Sequence, residues 1–191
     1  LTVSFSLSAW LLFVLCPLIS SMPTILPFRG VMPKIDPTAF VAPGVVLIGD
    51  VEIGPEASIW PACVLRGDMG PIRVGTKTNI QDGTIIHVTQ GQSGTFIGAG
   101  VTVGHMALLH ECRVEDGAFI GMRATMLDGA CVQAGGMLAA GALLTQGKIV
   151  GTGQIWSGSP AKYWRAITPD ERTAFLSRAQ EYADLAKSYR D

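Results

Sequence analysis

The chain contains 3 histidines, and all fall within one short stretch as His87, His105 and His110. Neutral imidazole is a good ligand for borderline divalent cations, and three imidazoles with one open position form a catalytic zinc set. A cation held in that way lowers the pKa of a coordinated water to about 7 and makes hydroxide available at neutral pH. Whether three rings can meet depends on which way the backbone turns them. His87 directly follows apolar Ile86, His110 directly follows Leu109, and His105 comes shortly after Val103. Arg66 and Gln81 hold the same position behind Leu65 and Ile80, with Asp68 and Asp82 close by. Arg66 and Asp68 can pair with each other or across a subunit boundary. Gln81 both donates and accepts, so it could orient a hydroxide on a metal. The plainer alternative is three exposed histidines among ordinary surface polar groups.

The elements that carry these residues are set by a beat of six. Val41, Leu47, Ile53, Ile59 and Leu65 keep it, then Val74, Ile80 and Ile86, then Ile97, Val103 and Leu109. A final series runs Val114, Ile120, Met126, Val132, Leu138, Leu144, Val150 and Trp156. Small residues such as Ala57, Cys63, Ala107, Ala118, Ala124, Ala130 and Ala142 recur between the anchors. Neither a helix nor a two-faced strand has that period. A solenoid of short flat faces does, with one aliphatic side chain per face pointing into a narrow prism. Glycines just after anchors (Gly49, Gly54, Gly75, Gly98, Gly104, Gly121, Gly151) suit corners that need unusual backbone angles. All three histidines miss the inward phase and should project outward. The beat slips at Met69-Gly70-Pro71, at residues 91–96 and at residues 110–113, and such slips are where a site is expected.

After Trp156 the beat stops, and Ser157-Gly158-Ser159-Pro160 reads as a turn. Thr168-Pro169-Asp170-Glu171 reads as a helix start with Thr168 as N-cap and Glu171 closing a capping box. Phe175, Ala179, Tyr182, Ala186 and Tyr189 then form one helical face. The expected organisation is an apolar extension over 1–21, a β-helix domain over 22–160, and a C-terminal helix within 161–191 that packs on it. The extension is too short and too proline-interrupted to span a membrane. It reads as upstream residues ahead of Met22, with a secretory signal, and hence export, as the alternative. The formal net charge of -1 and the lack of a basic block give no reason to expect nucleic-acid binding. Charged residues are only 15% of the chain and Gly numbers 23, which fits tight corners and surface hidden in subunit contacts. Cys16, Cys63, Cys112 and Cys131 match neither a zinc knuckle nor a disulfide framework, so a reducing, cytoplasmic location is expected.

Several stretches resemble the γ-class carbonic anhydrase family of hexapeptide-repeat proteins: Arg66-Gly67-Asp68, Asn79-Ile80-Gln81-Asp82-Gly83, His87, residues 104–110, Ile120-Gly121-Met122 and the turn from Trp156 to Lys162. The resemblance implies an all-β, left-handed parallel β-helix that forms a homotrimer, with one metal at each subunit boundary. His87 and His110 would come from one chain and His105 from its neighbour. Arg66 and Asp68 would be a boundary ion pair with Asp82 near Arg66, and Gln81 would touch the solvent on the metal. Tyr182 falls where the family places a polar active-site residue. The implied reaction is reversible hydration of carbon dioxide to bicarbonate by metal-bound hydroxide. Zinc is the default metal, with iron or cobalt as alternatives.

Two features depart from the pattern of active members. Met69 stands where they carry a glutamate after the Arg-x-Asp motif, and the interval 88–104 lacks their long acidic loop. Without a route for the released proton, turnover should be slow, depend on buffer, or be absent. Two other functions therefore stay open. One is a metal-binding trimer acting as a scaffold or thioester hydrolase. The other is a hexapeptide acyltransferase, which would need only one histidine as base and a basic path for coenzyme A that the sequence does not display.

Overall fold

The computed structural model describes residues 22–190, so the apolar extension and Cys16 lie outside the described residues. Short strands wind in three faces around a narrow apolar core. The first face stacks β1 (Thr24–Leu26), the start of β4 (Val46–Ile53), the start of β6 (Val64–Val74), β8 (Ile85–His87), β11 (Leu108–His110), β14 (Thr125–Met126) and β17 (Leu143–Leu144). The second stacks β2 (Lys34–Ile35), the ends of β4 and β6, β9 (Thr95–Ile97), β12 (Arg113–Val114), β15 (Cys131–Val132) and β18 (Ile149–Val150). The third stacks β3 (Phe40–Val41), β5 (Ser58–Ile59), β7 (Asn79–Ile80), β10 (Thr102–Val103), β13 (Phe119–Ile120), β16 (Met137–Leu138) and β19 (Gln154–Ser157). All these pairings are parallel. Because β4 and β6 run on around a corner, the first two faces join into one 12-stranded sheet.

The six-residue anchors form the core. Leu47, Ile59, Leu65, Ile80, Ile86, Val103, Leu109, Ile120, Met126, Leu138 and Leu144 are all at 0% exposure, and only Val41 and Trp156 of the series are partly open. Each fully buried aliphatic side chain contributes roughly 1.5–3 kcal/mol, and each rests on its equivalents one coil away, about 4.8 Å along the axis. The anchor-following glycines have another reason than the one expected. Only Gly49 among them has a left-handed backbone, with φ +73°. Gly104 has ordinary angles, but a Cβ there would overlap the backbone of Gly121 and Met122 in the next coil. Close stacking, not an unusual dihedral, demands glycine at that place. The left-handed positions fall later in each corner, at Glu56, Ala62, Lys77, Met106 and Arg123 among others.

One element escaped the sequence. β20 (Lys162–Ala166) folds back antiparallel on β19 across the turn at 158–161 and ends the third face. Helix α1 (Pro169–Ser188) follows, with Thr168 as N-cap, Pro169 in the first turn and the expected capping box to Glu171. It crosses β5, β7 and β10 of the third face. Ala179, Ala183 and Ala186 are buried there, and Tyr182 and Tyr189 meet the Trp60 ring edge-on, each at 5.4 Å between centroids.

The helix start is also an acid-sensitive point. Glu171 takes two bonds from Arg165, at 2.6 and 2.7 Å, and the Thr168 amide at 3.0 Å. The Arg165 bonds first, and then the Thr168 amide, pull its carboxyl from 4.5 down to about 2. A depressed folded-state pKa gives stability that is complete above the unfolded value and lost as pH falls toward the folded one. Glu171→Gln should therefore lower the thermal midpoint near pH 6, and the gap between variant and wild type should close between pH 4.5 and about 2. A gap that does not change with pH would show that the charge is not what Arg165 and Thr168 hold.

Candidate metal centre

His87 and His110 end neighbouring strands and lie directly in register. Their rings are tilted at 53° to each other with centroids 5.2 Å apart, and His87 Nδ1 lies 3.1 Å from His110 Nε2. Each ring is tied from behind by a carboxylate. His87 Nε2 is 2.9 Å from Asp68 Oδ1, and His110 Nδ1 is 2.7 Å from Asp128 Oδ1. Asp68 in turn accepts from Arg66 at 2.5 Å, and Asp128 accepts from the Thr89 hydroxyl at 2.7 Å.

The carboxylates behind the rings favour one tautomer in each. Burial alone would raise the Asp68 carboxyl, but bonds from His87 and Arg66 and the Arg66 charge hold it below its usual value. The Thr89 hydroxyl first, and then His110, do the same for Asp128. Ionised carboxylates only accept, so the nitrogens facing them must donate. In neutral rings this leaves His87 Nδ1 and His110 Nε2 as bare lone pairs pointed at each other. Two acceptors at 3.1 Å repel unless a cation or a proton stands between them. Ligands around a tetrahedral zinc with bonds of about 2.0–2.1 Å lie roughly 3.3 Å apart, so the pair has the bite for one ion. A carboxylate behind each ring is the common support of a metal-binding histidine.

His105 lies at the other edge of the first face, at the corner that leads from β10 into β11. Strand β11 separates it from His110, up to about 16 Å of extended chain. Its Nδ1 is 2.9 Å from Asp82 Oδ2, so it carries the same kind of support. Gln81 stands in the same corner and is buried at 5% exposure, not a surface residue. Its amide donates to Asn79 Oδ1 at 3.0 Å, and Asn79 donates to the Thr102 hydroxyl at 2.9 Å. Tyr182 comes in from α1, where burial first and the Asp82 charge second push its phenol above the ordinary value.

The eight residues singled out by sequence thus form two half-sites. His87, His110, Arg66 and Asp68 occupy one edge of the first face; His105, Gln81, Asp82 and Tyr182 occupy the other. Arg66 and Asp68 pair within the chain, and Asp82 of the same chain lies with His105, away from Arg66. Among the described residues, no cluster of three His, Cys, Asp or Glu side chains within one chain can hold a metal ion. Sequence reasoning missed Asp128 and Thr89. Asp128 stands as far past its anchor Met126 as His105 does past Val103, so its phase was a usable signal. Thr89 lies three residues past its anchor Ile86, just ahead of the slip at 91–96, a position that matches none of the other site residues.

A parallel β-helix of six-residue repeats defines a hexapeptide-repeat protein, here with outward histidines each backed by a carboxylate. The comparisons narrow this. The chain is 50% identical over 163 residues to Gamma carbonic anhydrase 1, mitochondrial, of Arabidopsis thaliana, a match covering 82% of this chain and 59% of that protein. It is 36% identical over 171 residues to Protein YrdA of Escherichia coli, covering 86% of this chain and 93% of the relative. A hexapeptide transferase family protein from Anaplasma phagocytophilum superimposes with a TM-score of 0.84 at 46% identity, covering 87% of this chain and 98% of that one. No protein-family model matches the chain. The chain belongs to the γ-class carbonic anhydrase-like family of hexapeptide-repeat proteins and has its left-handed parallel β-helix. It spans 59% of the length of the plant relative.

Proposed function

We propose that this protein is a metal-dependent carbonic anhydrase-like homotrimer that interconverts carbon dioxide and bicarbonate at its subunit boundaries. The observation that carries this reading is the pair of carboxylate-backed imidazoles whose free nitrogens face each other at 3.1 Å. His87 and His110 of one chain and His105 of its neighbour would hold a zinc-type divalent cation, with iron or cobalt as alternatives. When bound, the cation supplies Lewis acidity that makes a water reactive at neutral pH. The residues of the chain do the rest. Asp68, Asp128 and Asp82 fix the rings, Arg66 fixes Asp68, and Gln81, itself fixed by Asn79, orients the attacking water. Tyr182, held protonated, lines the His105 side.

A boundary position is supported by what separates the half-sites. The outward row of the first face runs Val46, Val64, Ile85, Leu108, Thr125 and Leu143. Ile85 is 47% exposed and Leu108 36%, while Met106 and Met122 on the His105 corner reach 60% and 54%. An apolar strip of that kind suits a contact with a second chain. Because its two edges carry different halves of the site, the contact joins unlike surfaces, which a closed ring satisfies.

Stopped-flow hydration of carbon dioxide by the metal-loaded protein tests the activity. A slow rate that rises with buffer concentration is expected, because Met69 and the interval 88–104 supply no acidic side chain to carry the proton away. No rate above background in any buffer, with the metal site full, would leave a metal-binding trimer without that activity. The acyltransferase alternative has the names of two structural relatives behind it, the Anaplasma protein and a "putative acetyltransferase" from Bacillus cereus that superimposes with a TM-score of 0.85 at 35% identity, but it needs one histidine as base and gives no use for three carboxylate-backed ones. Among the described residues no helix is long and apolar enough to cross a membrane. The free thiols of Cys63, Cys112 and Cys131 fit a reducing compartment. We keep the cytoplasm as the expected one, with the mitochondrion of the plant relative's name as its alternative.

A further inference from the structure

Glu111 has no part in the chemistry above, yet it is 4% exposed, directly follows His110 and has a left-handed backbone, φ 46°. It is the residue at which the six-residue beat loses a step. Its carboxylate accepts from the Thr89 amide at 3.1 Å, the Gly94 amide at 2.6 Å and the Ser93 hydroxyl at 3.3 Å. These donors stand at the two ends of the segment 89–94, which links His87 to β9. The Glu111 main chain is also held: its amide donates to the His87 carbonyl at 3.1 Å, and its carbonyl accepts from Gly129 at 2.7 Å. Gly94 is required by the same closure, since a Cβ there would overlap the Pro71 carbonyl.

The contacts form a closed circuit. Glu111 fixes Thr89; the Thr89 hydroxyl fixes Asp128 at 2.7 Å; Asp128 fixes the His110 ring at 2.7 Å; and His110 is bonded to Glu111. We infer that Glu111 is a positioning residue of the His87–His110 half-site, aiming His110 through Thr89 and Asp128 and pinning 89–94 as a fixed wall. A carboxylate is needed because only it accepts at both ends; an amide keeps one acceptor and faces the second donor with another donor. The inference rests on the metal-centre reading.

Glu111→Gln, Thr89→Val and the double variant test it. The probe is zinc affinity by competition with a chromophoric chelator, together with amide hydrogen exchange at Thr89 and Gly94 in the metal-free protein. Each single change should weaken zinc binding about tenfold, the scale for groups behind a ligand. The double variant should lose about the same tenfold, since both changes cut one circuit. Exchange at both amides should speed up in Glu111→Gln. An unchanged affinity, or additive losses near a hundredfold, would overturn the inference. If Glu111→Gln does not fold, Thr89→Val decides alone, and undiminished zinc affinity there overturns it. Wild type that binds no zinc refutes the metal-centre reading itself; wild type that binds and variants that match it refute only the role of Glu111.

Discussion

Replacing His105 by alanine should strip the metal from the protein, although His87 and His110 stay paired and supported in every chain. Loss of a group behind a ligand typically costs 10–100-fold in affinity, so loss of a ligand itself should exceed about a hundredfold. Compared metal-free, the fold should not register the change. The His105 side chain is 40% exposed and bonds only to Asp82, itself 48% exposed, and substitutions at such positions usually stay within about 0.5 kcal/mol. Metal content and thermal midpoint, measured together, give the check. Undiminished metal in His105→Ala would mean that the His87–His110 edge is a complete site, and the two-edge centre would be wrong.

Leu108→Glu should produce a folded monomer that has lost its metal without losing any ligand. Leu108 is already 36% exposed in the single chain and points away from the prism, beside Ile85 at 47%. A carboxylate there can remain in water in an isolated subunit. Closing the ring would bury one charge at each boundary with no partner, a cost of several kcal/mol per ion. Sedimentation should show the monomer, circular dichroism the intact β-helix, and chelator competition the lost affinity. A Leu108→Glu monomer with full zinc affinity would place the whole centre inside one chain. A stable trimer would show that the first face is not the interface.

Most of the coil could be read before any coordinates. A side chain that must enter a prism about one aliphatic residue wide has to be aliphatic at every turn, so the anchors announce themselves. The same logic made the outward histidines legible, because a polar ring cannot occupy an inward slot. Glycine was misread in its reason: sequence shows that Cβ is absent at Gly104 but not that the next coil's backbone lies against it. β20 was missed because it is an edge strand with no six-residue anchor. Its Tyr163 and Trp164 are 55% and 61% exposed and carry no burial pattern. The grouping of the site was hidden as well. Arg66 and Gln81 share a phase relative to their anchors but belong to different faces, so phase told that both point outward and not that they stand at opposite edges. Asp128 and Thr89 act on His110 from distant places in the chain, a proximity that only stacking of coils creates.

Subunit complementation measures most directly whether one ion is shared by two chains. His105→Ala and His110→Ala proteins, each unable to bind zinc alone, are unfolded, mixed in equal amounts and refolded together. In hybrid rings, a chain with His87 and His110 intact meets a neighbour with His105 intact, and random pairing restores about a quarter of the boundaries in a head-to-tail ring. Zinc binding should return in the mixture at that level. A mixture as empty as its two parents, despite proven hybrid trimers, would contradict the shared centre.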